Sequence, residues 1–311
     1  MGQKANPVSL QVGTKKNWKT EYSEKKMRDP GFIAYQDSSA FIFVARFFEK
    51  HGFYLQDHRL HYHENGVKLF LSIYSITAPN LHGVGKVNKR TDSAIVLKKC
   101  HKVVAVMKGP AYRRGPKITE PVVNKLHRCL SLFFGNKRLS ITISYASKFL
   151  NLSSKESRST KKHALSLRRF KKEEYFREMF ETSFAISKSV HFSRVLLKVL
   201  LKLIRTTRKI YRPLKMLKKS LQLFLNNPLR GSSGVKIELR GRLNGARRKK
   251  IFRLIVGDVA CHSKNVDLDY EVGNTQNKHG SFGVRVWVIN KKKLASPLST
   301  KNVSTTKKSP A

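Results

Sequence analysis

The sequence predicts an α+β protein of two domains, and three observations carry that reading. In the first half, a helical period, two alternating runs, a second helical period and a third alternating run follow one another. In the second half, long stretches with apolar residues at helical spacing give way, after Gly234, to runs that alternate residue by residue. The 311 residues leave room for two compact domains with insertions.

Charge narrows the partner. Lys and Arg total 64 against 19 Asp and Glu, a formal net charge of +45. A domain that basic repels itself unless a polyanion is near. No apolar run reaches the roughly eighteen residues that a membrane-spanning helix needs, so no membrane span is expected. The cations are spread along the chain rather than held in a tail, which favours nucleic acid over a membrane surface. Three cysteines, Cys100, Cys129 and Cys261, lie far apart without a CxxC pair, so neither a zinc ribbon nor a disulfide framework is expected, and the compartment reads as reducing. The N-terminus has neither an apolar signal core nor the long Arg- and Ser-rich lead of a transit peptide. No P-loop, GxSxG, HExxH or acid cluster is present, so the sequence predicts no enzyme, no catalytic residue, no metal and no cofactor.

Taken in order, residues 1–36 read as a basic arm, punctuated by Pro7, Gly13, Pro30 and Gly31. Asp37-Ser38-Ser39 is placed to cap a helix from about Ala40 to His51, with Phe41, Val44, Ala45 and Phe48 on one face. Strands follow at Tyr54–His63 and Val67–Ser75, with Asn65-Gly66 as the hairpin signal. His58, His61 and His63 lie close together, but no third ligand sits on the face that His61 and His63 share, so they read as polar-face histidines. Residues 76–119 form a Lys-rich insertion of low order. A helix is expected over Glu120–Phe134, with Val123, Leu126, Leu130 and Phe133 as its stripe, and a strand over Leu139–Ile143.

Residues 148–175 are rich in Ser, Lys and Arg and read as a basic linker or insertion. The second domain spans 176–290. It opens with a long helical region, about Phe176–Arg212, whose Arg194, Lys198, Lys202, Arg205 and Lys209 form one stripe expected to face solvent while the apolar remainder packs on the domain. Pro213 is expected to break it. A second helix, Leu214–Asn226, sets Lys215, Lys218, Lys219 and Gln222 on one face, with Leu217 and Leu221 opposite. The alternating run Val235, Ile237, Leu239 leads into GRLNGARRKK, where Arg242, Arg247, Arg248, Lys249 and Lys250 crowd one loop, and Val284, Val286, Val288 form another strand. That loop reads either as a solvated turn or as a platform for phosphate backbone. Residues 291–311 form a polar basic tail.

GVKIELRGRLNGA, Asp269-Tyr270 and the ending Gly280-x-x-Gly283-Val284-x-Val286-Trp287 resemble the signature of the universal small-subunit ribosomal protein S-three family. The start, MGQKANPVSLQVG, is similar to that family's start, with Gln11-Val12 where Arg-Leu is usual. The resemblance implies a KH-like (type II) domain over 37–147, since helix, strand, strand, helix, strand is that family's order, and a C-terminal α+β domain with an antiparallel sheet and basic helices. The GxxG clamp by which such domains hold single strands is absent between the second strand and the next helix; only His82–Lys86 and Lys108–Gly115 are glycine-basic clusters there. It further implies a structural role in the head of the small ribosomal subunit. The partners would be small-subunit rRNA, mRNA and neighbouring small-subunit ribosomal proteins. Gly2, Gln3, Lys4, Asn6, Arg242, Arg247, Arg248 and Lys249 would contact rRNA. Lys215, Lys218 and Lys219 match by charge the family's helix that lines the channel where mRNA enters, with Leu214 where a further basic residue is usual. The inserted segments and the missing GxxG point to an organelle ribosome, mitochondrial before plastid. The family's start coincides with Met1, which leaves no leader in front of it, as for a protein made in the organelle. A free-standing KH-type RNA-binding or splicing factor is the alternative.

Overall fold

The computed structural model describes residues 6–13, 16–23, 27, 29–63, 66–75, 95–99, 102–107, 118, 120–135, 137–146, 154–188, 191–207, 209–226, 232–261 and 266–290. Two sheets organise them. The first has six strands in the order β1-β2-β3-β6-β5-β4 and the second four in the order β8-β7-β10-β9. Class and architecture are α+β, as expected.

The first sheet is built from β1 (Thr20–Glu21), β2 (Phe53–His63), β3 (Gly66–Ser75), β4 (Ile95–Lys99), β5 (Lys102–Met107) and β6 (Arg138–Tyr145). β2 and β3 are antiparallel, and β6 runs parallel to both β3 and β5. Helices α1 (Asp29–Lys50) and α2 (Glu120–Phe133) cover one face. Val44 and Phe48 of α1, Leu126 and Leu130 of α2, and Leu69, Leu71, Ile141 and Ile143 of the strands form one core. The helix expected from Ala40 begins eleven residues earlier, at Asp29. Pro30 sits in its first turn, where no intrahelical N–H is lost, and Asp29 meets the positive end of the dipole. The supposed cap is inside the helix: the Ser38 hydroxyl donates back to the Tyr35 carbonyl at 3.0 Å. On α2, Phe133 is largely exposed and Phe134 is buried in its place. The insertion, expected to have low order, contains β4 and β5, which extend the sheet beyond β6. The glycine-basic clusters at 82–86 and 108–115 lie outside the described residues, as do Glu64 and Asn65 of the hairpin turn.

The second sheet consists of β7 (Ser232–Gly241), β8 (Lys250–Gly257), β9 (Asp267–Asn277) and β10 (Gly280–Asn290), all antiparallel. Helices α3 (Ser154–Ser166), α4 (Tyr175–Lys188), α5 (Ser193–Thr206) and α6 (Tyr211–Leu225) precede it. The stretch 148–175 is therefore more than a linker. It forms α3 and a turn of 3-10 helix at Arg168–Phe170, and Leu167 and Phe170 enter the core that Phe224 of α6 and Val235, Ile237 and Leu239 of β7 share.

The expected long helix is two helices. His191 takes a left-handed backbone (φ 73°) and Phe192 is fully buried with its ring edge-on to Tyr74 of the first sheet. The Asp269 carboxylate of β9 receives the Ser193 hydroxyl at 2.5 Å and, more weakly, its N–H at 3.4 Å, placing negative charge at the start of α5. Pro213 breaks nothing: it lies in the first turn of α6, and the chain turns earlier, at the extended Thr207.

α5 lies between the sheets. Val195, Leu196, Val199, Leu200, Leu203 and Ile204 are buried, in a core that also takes in Tyr74 and Ala146 from the first sheet. Of its basic stripe, expected to face solvent, Lys202 and Arg205 are exposed and Arg194 and Lys198 partly buried, and three of the four pair with carboxylates of their neighbours. Arg194 meets Glu271 of β9 at 2.8 Å, Lys198 meets Glu49 of α1 at 2.5 Å, and Lys202 meets Glu178 of α4 at 2.7 Å. Arg205 donates to Thr275 at 2.7 Å. The reason is position: a helix between two layers has no wholly free face, so its cations need partners.

Arg194 also stacks over Phe41 at 4.6 Å, and Phe41 stacks on His58 at 4.4 Å. Burial, then the nearby Arg194 and Lys19 cations, push the His58 imidazole down to about 3. Asp37, at 3.7 Å, is too distant for a hydrogen bond that would offset them. His61 bonds Glu21 at 2.8 Å, and no group of three or more metal-binding side chains occurs among the described residues.

The neutral ring sets a pH dependence. Because the folded pKa lies below the unfolded value, the unfolded chain takes up the proton first, and stability falls as pH drops through 6.5 towards 3. Between pH 7.5 and 5 this contributes a loss of about 2 kcal/mol. His58→Gln should remove about that much of the decline, measured as urea midpoints at the two pH values; a decline as steep in the variant would show that His58 is not its source.

Candidate nucleic-acid interface

Two elements of the second domain carry cations that no described carboxylate neutralises. On α6, Leu214, Met216, Leu217, Leu221 and Phe224 are buried at 1% exposure or less, which fixes the helix's rotation. That orientation leaves Lys215 and Lys218 exposed and Lys219 half-exposed, at the expected spacing of one helix face. No described carboxylate pairs with any of the three, although Arg212, one turn earlier, is held by Glu173 at 2.8 Å.

The second element is the loop after β7. Leu243 is buried in the core while Arg242, Arg247, Arg248 and Lys249 are exposed around it. Asn244 and Gly245 both adopt left-handed backbone, φ 54° and 76°. This reverses the chain within one turn, and the residue types tolerate it. Arg242 donates Nε to the Ala246 carbonyl at 2.9 Å, which ties its stem to the loop and leaves the rest of its guanidinium available. No described carboxylate meets Arg247, Arg248 or Lys249. The loop is thus a rigid cationic corner rather than a loose turn.

The structure joins the two elements through a residue that sequence reading passed over. The Asn244 side-chain oxygen accepts the Ile210 backbone N–H at 2.9 Å, just before α6. The Tyr211 and Phe252 rings, 5.8 Å apart, add a second contact between α6 and β8. An asparagine between leucine and glycine is a signal for left-handed backbone, and only its remote partner was invisible in the sequence.

The amino-terminal candidates fall elsewhere. Gly2, Gln3 and Lys4 lie outside the described residues. Asn6 closes a local turn, accepting the Val8 N–H on its side chain at 3.0 Å. Residues beyond it lie along the protein. The Gln11 amide donates to Val266 O at 2.6 Å and accepts Leu268 N–H at 3.4 Å; Lys16 bonds Leu268 O and lies 3.8 Å from Asp267 and Asp269. Thr20 and Glu21 then add as a parallel edge strand to β2. This segment straps the edge of one sheet to the edge of the other.

Asn244→Ala should lower stability by about 2 kcal/mol, from strain at a left-handed position and an unpaired N–H. Asn244→Gly, which keeps the backbone and loses only the bond, should cost about half as much. Equal midpoints for all three proteins in chemical denaturation would show that loop and helix are not coupled there.

Residues 185–288 match the family model described as ribosomal protein S3, C-terminal domain. Small ribosomal subunit protein uS3 of Borrelia garinii subsp. bavariensis is 36% identical over 75 residues, 24% of this chain and 25% of that protein. The uS3 of Methylacidiphilum infernorum is 33% identical over 82 residues, covering 26% and 37%, and that of Thermomicrobium roseum 40% over 58 residues, covering 19% and 26%. The chain thus spans about a quarter to a third of the length of these curated relatives. The match covers α5, α6 and nearly all of the second sheet, the elements that carry both cationic groups. Through this domain the chain is similar to the ribosomal protein S3 family.

Proposed function

We propose that the chain is a structural, non-enzymatic constituent of the small ribosomal subunit, seated in the head at the side where mRNA enters, in a mitochondrial ribosome or, failing that, a plastid one. The observation that carries this reading is the sorting of its charge. Arg194, Lys198 and Lys202 of α5 are matched by carboxylates, whereas Lys215, Lys218 and Lys219 of α6 and the cations of the Arg242–Lys249 loop pair with no described carboxylate and stand on well-packed backbone. Unpaired, immobilised cations hold phosphates without reading bases. In this reading Arg242, Arg247, Arg248 and Lys249 hold rRNA, with Gly2, Gln3, Lys4 and Asn6 as further contacts. Lys215, Lys218 and Lys219 track incoming mRNA, and neighbouring ribosomal proteins cover other faces.

The first domain is read as KH-like. The order α1, β2, β3, α2, β6 and the neighbouring placement of β2, β3 and β6 support this. Without a GxxG loop its part is architectural. The mitochondrial assignment rests on that loss and on the inserted segments.

Isolated protein should bind RNA with a steep salt dependence, since each phosphate neutralised releases counterion. Arg242, Arg247 and Arg248 changed together to Glu should abolish incorporation into subunits, read by sedimentation at high salt, with the circular dichroism unchanged. Normal co-sedimentation of that variant would remove the platform, and wild-type protein that leaves the subunit in salt would favour a free RNA-binding factor. Changing Lys215, Lys218 and Lys219 together to Glu should spare assembly and slow a reporter with a hairpin just after the start codon more than an unstructured one. Equal slowing would refute the mRNA role.

A further inference from the structure

Among the described residues, no helix packs on one face of the second sheet. The helices pack on the face of Val235, Ile237 and Leu239, and the opposite face presents Lys236, Arg240, Arg253 and Arg285, with Ile251, Ile255 and Val272 about half-exposed between them. The one acid among the paired positions of β7 and β8 on this face is Glu238. Arg240 and Arg253 both bond its Oε1, at 3.3 Å each. Burial pushes the Glu238 carboxyl up, yet the two guanidiniums outweigh that and hold it below the usual carboxylate range. Its charge is therefore used inside the sheet, and the face remains cationic.

At one end this face deepens into a cleft of about 560 Å³, between the start of the basic loop and the β9–β10 turn. Arg240, Arg242, Lys249 and Arg285 line it with Asn274, and no acid does. The floor is Gly283. By register Gly283 stands between Arg240 of β7 and Asn274 of β9. Two other glycines of this sheet have internal reasons to lack a side chain: a Cβ at Gly241 would strike the Phe282 ring at 2.3 Å, and one at Gly273 would press on Leu201 of α5 at 3.0 Å. A Cβ at Gly283 would meet only the Asn274 side chain, at an ordinary 3.5 Å. Nothing in the fold excludes a side chain there, and glycine in a strand interior is unfavourable, so a close approach from outside is the remaining physical reason.

We propose that this cleft seats one backbone phosphate and ribose of an RNA strand, with Gly283 as the floor on which the sugar-phosphate rests and Arg285, Arg240 and Lys249 as the phosphate ligands. The strand continues across the open sheet face, where Arg253 and Lys236 meet further phosphates and the aliphatic residues between them meet ribose. Charge complementarity selects the ligand: a cleft lined by Arg240, Arg242, Lys249 and Arg285 and by no acid fits a polyanion with regularly spaced charge. The proposal rests on the ribosomal reading above and extends the RNA contact beyond the loop: Arg242 and Lys249 border both, whereas Arg240, Gly283 and Arg285 belong to the sheet alone.

The test is binding of full-length protein to a fluorescent twelve-nucleotide oligouridylate across a salt titration. Arg285 makes no ion pair with a described carboxylate, so Arg285→Gln removes charge without breaking the fold. It should weaken binding about tenfold, the effect of losing one charge-assisted hydrogen bond, and lower the salt slope by about one. Gly283→Val changes no charge, suits a strand, and raises the floor; it should weaken binding to a similar extent. Gly283→Ala takes its place if the valine variant does not fold. Variants with wild-type affinity and slope would overturn the cleft while leaving the ribosomal reading intact, because Arg247 and Arg248 of the loop lie outside the cleft and report on that reading separately. Wild-type protein with a slope near zero would overturn both. Loss of decaglutamate binding in these variants, with oligouridylate binding unchanged, would overturn the RNA seat in favour of an acidic protein partner.

Discussion

A chain with a net charge of +45 must hold two domains together against its own repulsion. Arg194 shows how that is achieved. Its side chain is only 11% exposed, it pairs with Glu271 in the second sheet, and it lies over Phe41 of the first domain. A guanidinium in that position is costly unless every neighbour compensates it. One does so by opposite charge, one by the face of its ring, and His58 does so by staying neutral. Around Arg194, the Lys198–Glu49 and Lys202–Glu178 pairs extend the same arrangement along α5. Three carboxylates, Glu49, Glu178 and Glu271, thus tie α5 to its neighbours.

Lys215, Lys218 and Lys219 of α6 and the cations of the loop after β7 have no described carboxylate partner. α6 and the loop after β7 project cations from a mount fixed by buried leucines and by the Asn244 bond to the N-terminal end of α6. Rigid placement matters for a polyanion, because a lysine already held in register loses less freedom when a phosphate arrives. The architecture separates two uses of one residue type: lysine and arginine as internal ties along α5, and as external contacts on α6 and the loop.

Much of this was legible in the sequence, and the boundary of legibility has a physical cause. Period-two and helical patterns report local burial, so the β7 and β10 alternation and the α6 lysine face were readable directly. α5 has the same kind of basic stripe as α6, yet three of its cations are paired with carboxylates. Only residues far away in sequence distinguish them, since Glu271 lies 77 positions from Arg194. Asp37-Ser38-Ser39 has the chemistry of a cap and still sits within α1, because Pro30 offered an earlier start and Ser38 found a local acceptor. The Ser- and Lys-rich composition of 148–175 hid Leu167 and Phe170, two apolar side chains sufficient to seat that segment in the core.

The strap formed by residues 11–21 has a consequence for biosynthesis. Gln11 finds its partner 255 residues later, at Val266. At a synthesis rate of roughly 5–20 residues per second, more than about ten seconds separate the emergence of the two. During that interval the first domain has all of its own strands and helices, while the arm has only the edge of β2 to rest against. The amide of Gln11 and the ammonium of Lys16 face water until β9 appears. The arm is therefore fastened late, once β9 has followed the helices of the second domain out of the ribosome.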